Sequence, residues 1–385
     1  MNERLMRRYP SVADLARRAR WRIPHFSWEY LDSGTGADDC LRRNREAFAS
    51  VTLTPNFMRG PVEPDVQTSL FGMSYAVPFG VAPVGLTGLM WPGAERILAR
   101  TAARFRMPYA LSTVATQAPE TIGRLTDGMG WFQLYPPRRV ELRRDLLKRA
   151  RDAGFTTLLV TVDVPTGSRR ERQKRAGVDL PPRLTPALLY RCAVRPSWTI
   201  ATLRAGKPRF AGLDKYLDTG DSRELLAFVR REFNFAVDWD YLRAVREEWD
   251  GPMAVKGVLD VAQACEAAAL GVDGVVVSNH GGRQFDGAPA ALSVLPAIAA
   301  AVGGRARVLL DSGVRSGLDI ARALALGADF VLLGRAFMYG VAALGEQGGN
   351  HVAEILIDDL KNNMVQLGCR TPNELSQRLC SSAGR

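Results

Sequence analysis

The sequence predicts a (β/α)8 barrel, and three observations predict it. Eight short apolar or β-branched runs recur along the chain, each followed by a segment with apolar residues at 3-to-4 spacing. They begin near Pro78, Tyr109, Trp131, Thr157, Met253, Gly274, Val308 and Phe330, so the start-to-start distances are 31, 22, 26, 96, 21, 34 and 22 residues, an ordinary βα repeat with one long insertion. Runs such as Leu158-Leu159-Val160 and Val275-Val276-Val277 are apolar without alternation, as parallel strands covered on both faces are. A doubly wound sheet is the alternative, weakened because no GxGxxG follows the first run and eight units exceed its usual need.

Residues 1–70 precede the first run and read as a helical cover over one barrel mouth. Ser11 and Asp14 stand at capping-box spacing, SWEYLDSG reads as a helix stopping at Gly34, and a basic helix runs from about Leu41 to Phe48. The insertion after the fourth run, 171–238, contains Pro181-Pro182, and its stretch 177–216 carries seven Lys or Arg against two Asp. The whole, 1–385, reads as a single domain.

Composition narrows the function classes. The formal charge of +11 admits a polyanion, an anionic membrane face or a small acidic substrate. Five cysteines, Cys40, Cys192, Cys265, Cys369 and Cys380, form no CxxC, which suggests neither a disulfide framework nor a zinc ribbon. The three histidines, His25, His280 and His351, have no metal-binding spacing, so no metal is expected. With neither a secretory leader nor a spanning apolar stretch in the sequence, a cytoplasmic protein is expected, with at most peripheral membrane contact.

In this architecture the reacting groups come from the C-terminal ends of the strands. Those ends carry Ser112-Thr113, Gln133 and Tyr135, Thr161 and Asp163, Lys256, Ser278-Asn279-His280, Asp311-Ser312-Gly313 with Arg315, and Gly334-Arg335. Polar groups are costly to bury without partners, so a ring of them at one mouth argues for a ligand there. Gly313 and Gly334 beside Arg315 and Arg335, on the two strands that often hold a phosphate in this fold, suit an oxyanion. His280 enters the mouth with Arg283; a neutral imidazole there is a candidate base, with Asp163 to orient it. Arg170 and Arg283 could clamp a carboxylate, and Lys256 could face a cofactor that becomes negative on reduction. Arg169 and Arg172 read as solvated.

These strand ends resemble the FMN-dependent α-hydroxy-acid oxidase and dehydrogenase family. The resemblance runs from about Tyr30 to Gly368 through YLDSG, LRRNREAF, APVGLTGL, LSTVAT, WFQLY, TVDVP, VKG, SNHGGRQFDG, DSGVRSGLD, ALALGAD and LLGRAF, with SNHGGRQ the most specific piece. It implies FMN as cofactor and oxidation of an L-2-hydroxy acid to the 2-oxo acid. His280 would be the base, Asp163 its partner, Arg170 and Arg283 the carboxylate clamp, and Tyr30 and Tyr135 further substrate contacts. Flavin contacts would come from Ser112, Gln133, Thr161 and Lys256, and phosphate contacts from Gly313, Arg315, Gly334 and Arg335. Pro83, Val84, Gly85, Ser278, Asp311 and Ser312 complete the expected cofactor set.

The chain departs from the plant-type oxidases at Val114, where those carry Trp, at Gly167, where they carry a larger apolar residue, and at Gly85, where they carry Ala. A roomier mouth and a substrate larger than glycolate follow. Ser312, WDGPMAVKG, LRAGKPR and RPSW look more like the bacterial dehydrogenase branch. There the segment after strand four is similar to a membrane-docking insertion on the cytoplasmic face of the inner membrane, the acceptor is a quinone or another carrier, and the assembly is a homotetramer. Leu188, Leu189, Tyr190, Trp198 and Ile200 would dip into the interface beside the cations, unless the segment is a basic loop folded over the site. An oxygen-using oxidase is the nearest alternative. A basic membrane- or nucleic-acid-binding protein on a degenerate barrel, and another phosphate-binding barrel enzyme such as an isomerase, are more distant ones; nucleic acid is not expected as a partner.

Overall fold

The computed structural model describes residues 2–177, 185–216, 222–233 and 236–380. Eight parallel strands close into a barrel in chain order: β1 (Phe79–Val81), β2 (Tyr109–Ser112), β3 (Gly130–Leu134), β4 (Thr157–Thr161), β5 (Met253–Val258), β6 (Gly274–Val277), β7 (Arg307–Leu310) and β8 (Phe330–Leu333), with β8 pairing back onto β1. Apart from Arg307 and the half-buried Gly257, every residue in them is buried. Side chains pointing in fill the barrel and those pointing out meet helices, which is why the runs show no alternation. The outer helices follow the strands, from Ala94–Phe105 after β1 to Arg335–Leu344 after β8. Asp260 and Ser316 start two of them by accepting from Gln263 N (2.9 Å) and Asp319 N (3.0 Å).

The N-terminal section covers both mouths rather than one. Helix Val12–Arg22 opens on the expected capping box at Ser11 and Asp14 and packs on the outer helix Arg335–Leu344. Helix His25–Asp32 lies at the C-terminal mouth, where Ser27 Oγ donates to Leu89 O at 2.8 Å. Residues Thr68–Leu70 and Met73–Tyr75 form a hairpin at the opposite end, where Phe71 and Tyr75 pack on Trp131 and Trp131 Nε1 donates to Tyr75 OH at 3.1 Å. Trp131 lies at the start of β3, so the hairpin closes the N-terminal mouth.

The insertion is built from helices: Glu171–Ala176, Pro186–Ala193, Pro196–Ala205 and Ser222–Phe233. Asp179 and Pro181-Pro182 lie outside the described residues. Arg172 is not solvated as expected. Its guanidinium bonds Glu29 (2.7 Å), Asp38 (2.6 Å) and Asp32 (3.1 Å), which fastens the start of the insertion to the N-terminal cover. Trp198 is not at the surface either: it is 5% exposed, meets Phe26 edge to face and donates from Nε1 to Leu89 O at 3.2 Å. An indole with its N–H satisfied inside the protein is an anchor, not an interfacial group. Leu188 is half-buried, whereas Leu189, Tyr190 and Ile200 stand out as expected, joined by Val194 and Leu203.

Candidate active site

The C-terminal ends of the strands surround one cleft of about 1290 Å³, open mouth included. β6 delivers His280, held by its neighbours on three sides. Nδ1 lies 2.9 Å from Asp163 Oδ1, Nε2 lies 3.2 Å from Tyr135 OH, and the backbone N–H donates to Ser278 Oγ at 3.0 Å. Since a carboxylate only accepts, Asp163 fixes the proton on Nδ1 and leaves Nε2 with its lone pair toward Tyr135. Burial pushes the imidazole pKa below its usual 6.5 and Asp163 opposes that shift without cancelling it; His280 is thus neutral and basic at neutral pH. Burial raises the Asp163 pKa, but His280 and Lys256 outweigh it and keep the carboxyl ionised.

The approach of Asp163 depends on a break in β5. The β5–β6 register shifts between Lys256 and Val258, and Gly257 between them has φ +107°. A Cβ at 257 would stand 2.6 Å from Asp163 Cβ and Cγ. Only glycine admits both the backbone and the neighbour there.

Two guanidiniums face the same cleft, and neither has a carboxylate partner among the described residues. Arg283 Nη1 donates to Tyr30 O at 2.8 Å, and its charge lies 5.2 Å from the centre of the Tyr30 ring. Arg170 donates to Ser168 Oγ (2.8 Å) and Gln284 Oε1 (3.2 Å). Burial, with Arg170 and Arg335 nearby, pulls the Arg283 pKa down to about 9, which leaves it cationic at neutral pH. Two cations crowded together without an acid are poised to receive an anion.

A second group of polar atoms is buried without partners among the described residues. Gln133 Nε2 and Thr161 Oγ1 both belong to cleft-lining residues and make no hydrogen bond among the described residues. Ser112 stands behind the wall and acts through Gln133, donating to its Oε1 at 2.7 Å. The Lys256 ammonium bonds Asp311 Oδ2 and Ser278 Oγ, each at 2.9 Å, which leaves one of three N–H donors. Burial works against that charge, but Asp311 and Asp163 prevail and raise its pKa.

At the far side Gly313, Arg315 and Gly334 line the cleft, with Pro83, Val84 and Gly85 of the β1 loop along it. Arg335 also lines it, but its guanidinium is engaged by Leu31 O (3.0 Å), Gly281 O (2.8 Å) and Ser33 O (2.8 Å), so the side chain ties the cover to the β6 turn. Of the expected site residues, Ser112, Asp163 and Ser278 are the three that do not line the cleft.

Residues 19–382 match the FMN-dependent dehydrogenase family. The chain belongs to that family. FMN is accordingly its cofactor, and the unpartnered Gln133 and Thr161 groups, the spare Lys256 donor and the small residues at 313 and 334 fit a flavin ring and its phosphate. Among its relatives, L-lactate dehydrogenases from Pseudomonas aeruginosa (strain LESB58) and Xanthomonas campestris pv. campestris (strain 8004) are 39% identical over 93% of this chain and 94% of theirs, and 38% identical over 95% of each. The crystal structure of the monotopic membrane protein (S)-mandelate dehydrogenase superposes with a TM-score of 0.91 at 33% identity, covering 97% of this chain and 99% of that one. A mandelate oxidase superposes at 0.83 with 35% identity, over 97% and 98%.

Within this FMN-dependent dehydrogenase, several residues in and around the cleft were not singled out in the sequence, among them Gln284, Gly257, Val229 and Phe233. Gln284 bridges Arg170 and Asp163 O (3.3 Å), and lies at the end of SNHGGRQ. Gly257 sits inside VKG. Val229 and Phe233 come from the insertion, with an apolar i, i+4 spacing as their only signal. Gly85 and Val114 both line the cleft, where a Cβ added at 85 would stand 2.7 Å from Val114 Cγ2, whereas Gly167 is exposed and does not line it.

Proposed function

We propose that this enzyme oxidises an L-2-hydroxy acid to the 2-oxo acid, with lactate-like and mandelate-like compounds as the substrate class. The observation that carries the reading is the pairing of the Asp163–His280–Tyr135 chain with two carboxylate-free guanidiniums in one cleft. Arg170 and Arg283 bind the substrate carboxylate, Arg283 in a planar fork. Tyr30 and Tyr135 flank the hydroxyl-bearing carbon. Neutral His280 takes one proton from the substrate at Nε2, and Asp163 stabilises the imidazolium that results. Gln133, Thr161 and Lys256 hold the ring of FMN, and Gly313, Arg315 and Gly334 its phosphate. FMN supplies the two-electron acceptor, and the cation of Lys256 stabilises the negative charge that reduction brings.

Electrons then pass to a quinone or another carrier. The exposed Leu189, Tyr190, Val194, Ile200 and Leu203 beside the cations of the insertion support peripheral membrane contact, as does the monotopic relative. Among the described residues no helix is long and apolar enough to cross a membrane. A homotetramer completes the proposal, on family likeness. Anaerobic bleaching of the bound flavin by a panel of L-2-hydroxy acids, followed by reoxidation with a quinone or with air, tests it. Bleaching by lactate or mandelate and faster reoxidation by quinone are expected; no bleaching by any member of the panel would overturn it.

A further inference from the structure

We propose that helix Ser222–Phe233 supplies the wall that receives the substituent on the substrate's α-carbon, and that this wall fits an aromatic or branched aliphatic group in preference to a methyl. The proposal rests on the hydroxy-acid reading above. Val229 and Phe233 lie one helical turn apart, and they are the two described residues of the insertion that line the cleft. Met90, Val114 and Val164 extend the same apolar lining.

Topology sets which end of the cleft they occupy. In the closed eight-stranded barrel β3 stands opposite β7. The C-terminal end of the helix is fastened to the segment that follows β3: Arg138 N donates to Glu232 O at 2.9 Å, Arg138 Nε donates to Arg231 O at 3.1 Å, and Arg139 Nε pairs with the Glu232 carboxylate at 3.2 Å. β7 leads into Ser312 and Gly313. The apolar wall therefore rises across the mouth from the small residues of the phosphate end, on the side of Tyr135 and the His280 that it touches. That is where the reacting carbon must lie if His280 is to reach its proton.

Glu232 is 3% exposed, and a buried carboxylate needs a cation. Arg139, with Arg231 at 3.3 Å, supplies one, which makes Glu232 a positioning residue for the wall. Behind it, Phe228 stacks on Tyr216 (6.5 Å between ring centres, 11° between planes), meets Phe233 edge to face and carries the Arg139 guanidinium 5.5 Å from its centre. Such a stack presents a fixed surface rather than an adaptable one, and a fixed apolar surface discriminates by the contact area it offers.

FMN-loaded parent, Phe233→Ala, the milder Val229→Ala, Glu232→Gln and Glu232→Asp are compared. Two quantities are read: anaerobic flavin reduction by (S)-mandelate and by L-lactate, and equilibrium binding of phenylglyoxylate and of pyruvate, followed by the change in flavin absorption. The parent is expected to favour the phenyl member of each pair. The phenyl-to-methyl ratio should fall about tenfold in Phe233→Ala, mainly through KM, and by a smaller factor in Val229→Ala. It should fall in Glu232→Gln and recover toward the parent value in Glu232→Asp. A parent that favours the methyl members, or ratios within about twofold of the parent in both wall variants, overturns the proposal while leaving hydroxy-acid oxidation intact. A parent flavin that neither acid reduces overturns the hydroxy-acid reading and this proposal with it.

Discussion

His280, Arg170 and Ser312 have φ of 58°, 42° and 75°, in the left-handed region that non-glycine residues seldom occupy. Each costs on the order of 1 kcal/mol, and the bonds that hold them, from Ser278 and Asp163 on His280 to Thr35 on Arg170, offset it. The fixed imidazole makes a pH prediction. Because burial lowers the His280 pKa, the basic form persists below pH 6.5, and kcat/KM should decline only at more acidic pH. Asp163 is the group that opposes burial, so Asp163→Asn should move the acid limb to still lower pH and reduce kcat by a factor on the order of 10²–10⁴. A pH–rate profile of both proteins checks this; an unmoved limb would mean that the carboxylate does not face the titrating group. His280, Asp163 and the two arginines were legible because strand ends in a barrel mark the mouth. Arg172 was not, because its three acids are 134 to 143 residues away in sequence and meet it only through the fold.

Among the elements, β5 carries more function than its apolar run suggests. Its bulge admits Asp163 at the point where Lys256 turns to Asp311. Gly257→Ala must either shift Asp163 or strain the backbone, and should lower stability by about 1–3 kcal/mol and slow flavin reduction, while FMN content stays near that of the parent. Thermal melts and stopped-flow reduction measure the two effects, and full-rate reduction would show that the pair tolerates the added methyl. Strand positions were readable to within one residue: Phe79 for Pro78, Gly130 for Trp131, Arg307 for Val308. The hairpin Thr68–Leu70 and Met73–Tyr75 was not, since three-residue strands show no periodicity. The helices of the insertion left a clearer trace. Pro186 and Pro196 both stand in the first turn of a helix, and Thr185 caps its own by accepting from Leu188 N at 3.1 Å.

For the whole molecule, the repeat of eight units was the strongest message of the sequence, because every strand needs the same double-sided burial. How the insertion relates to its surroundings was only half legible: composition gave its charge, but not that Trp198 faces inward while Leu203 faces outward. Leu189 and Leu203 are 59% and 77% exposed, so a Leu189→Glu/Leu203→Glu double variant should lose most of its partition onto vesicles containing anionic lipid, with flavin reduction preserved. Cosedimentation at low and high salt measures it. Equal partition of parent and variant would place membrane contact elsewhere, and no partition of the parent would remove the docking proposal.

The clamp of Arg172 on Glu29, Asp32 and Asp38 separates two mechanical regimes. A pull on the exposed helix Pro186–Ala193 would meet the three carboxylates of the cover at Arg172 before it reached Arg170, two residues upstream. The strength of any such anchor and the carboxylate grip of Arg170 would thereby be free to drift apart among descendants of this chain, with Arg172 as the bulkhead between them.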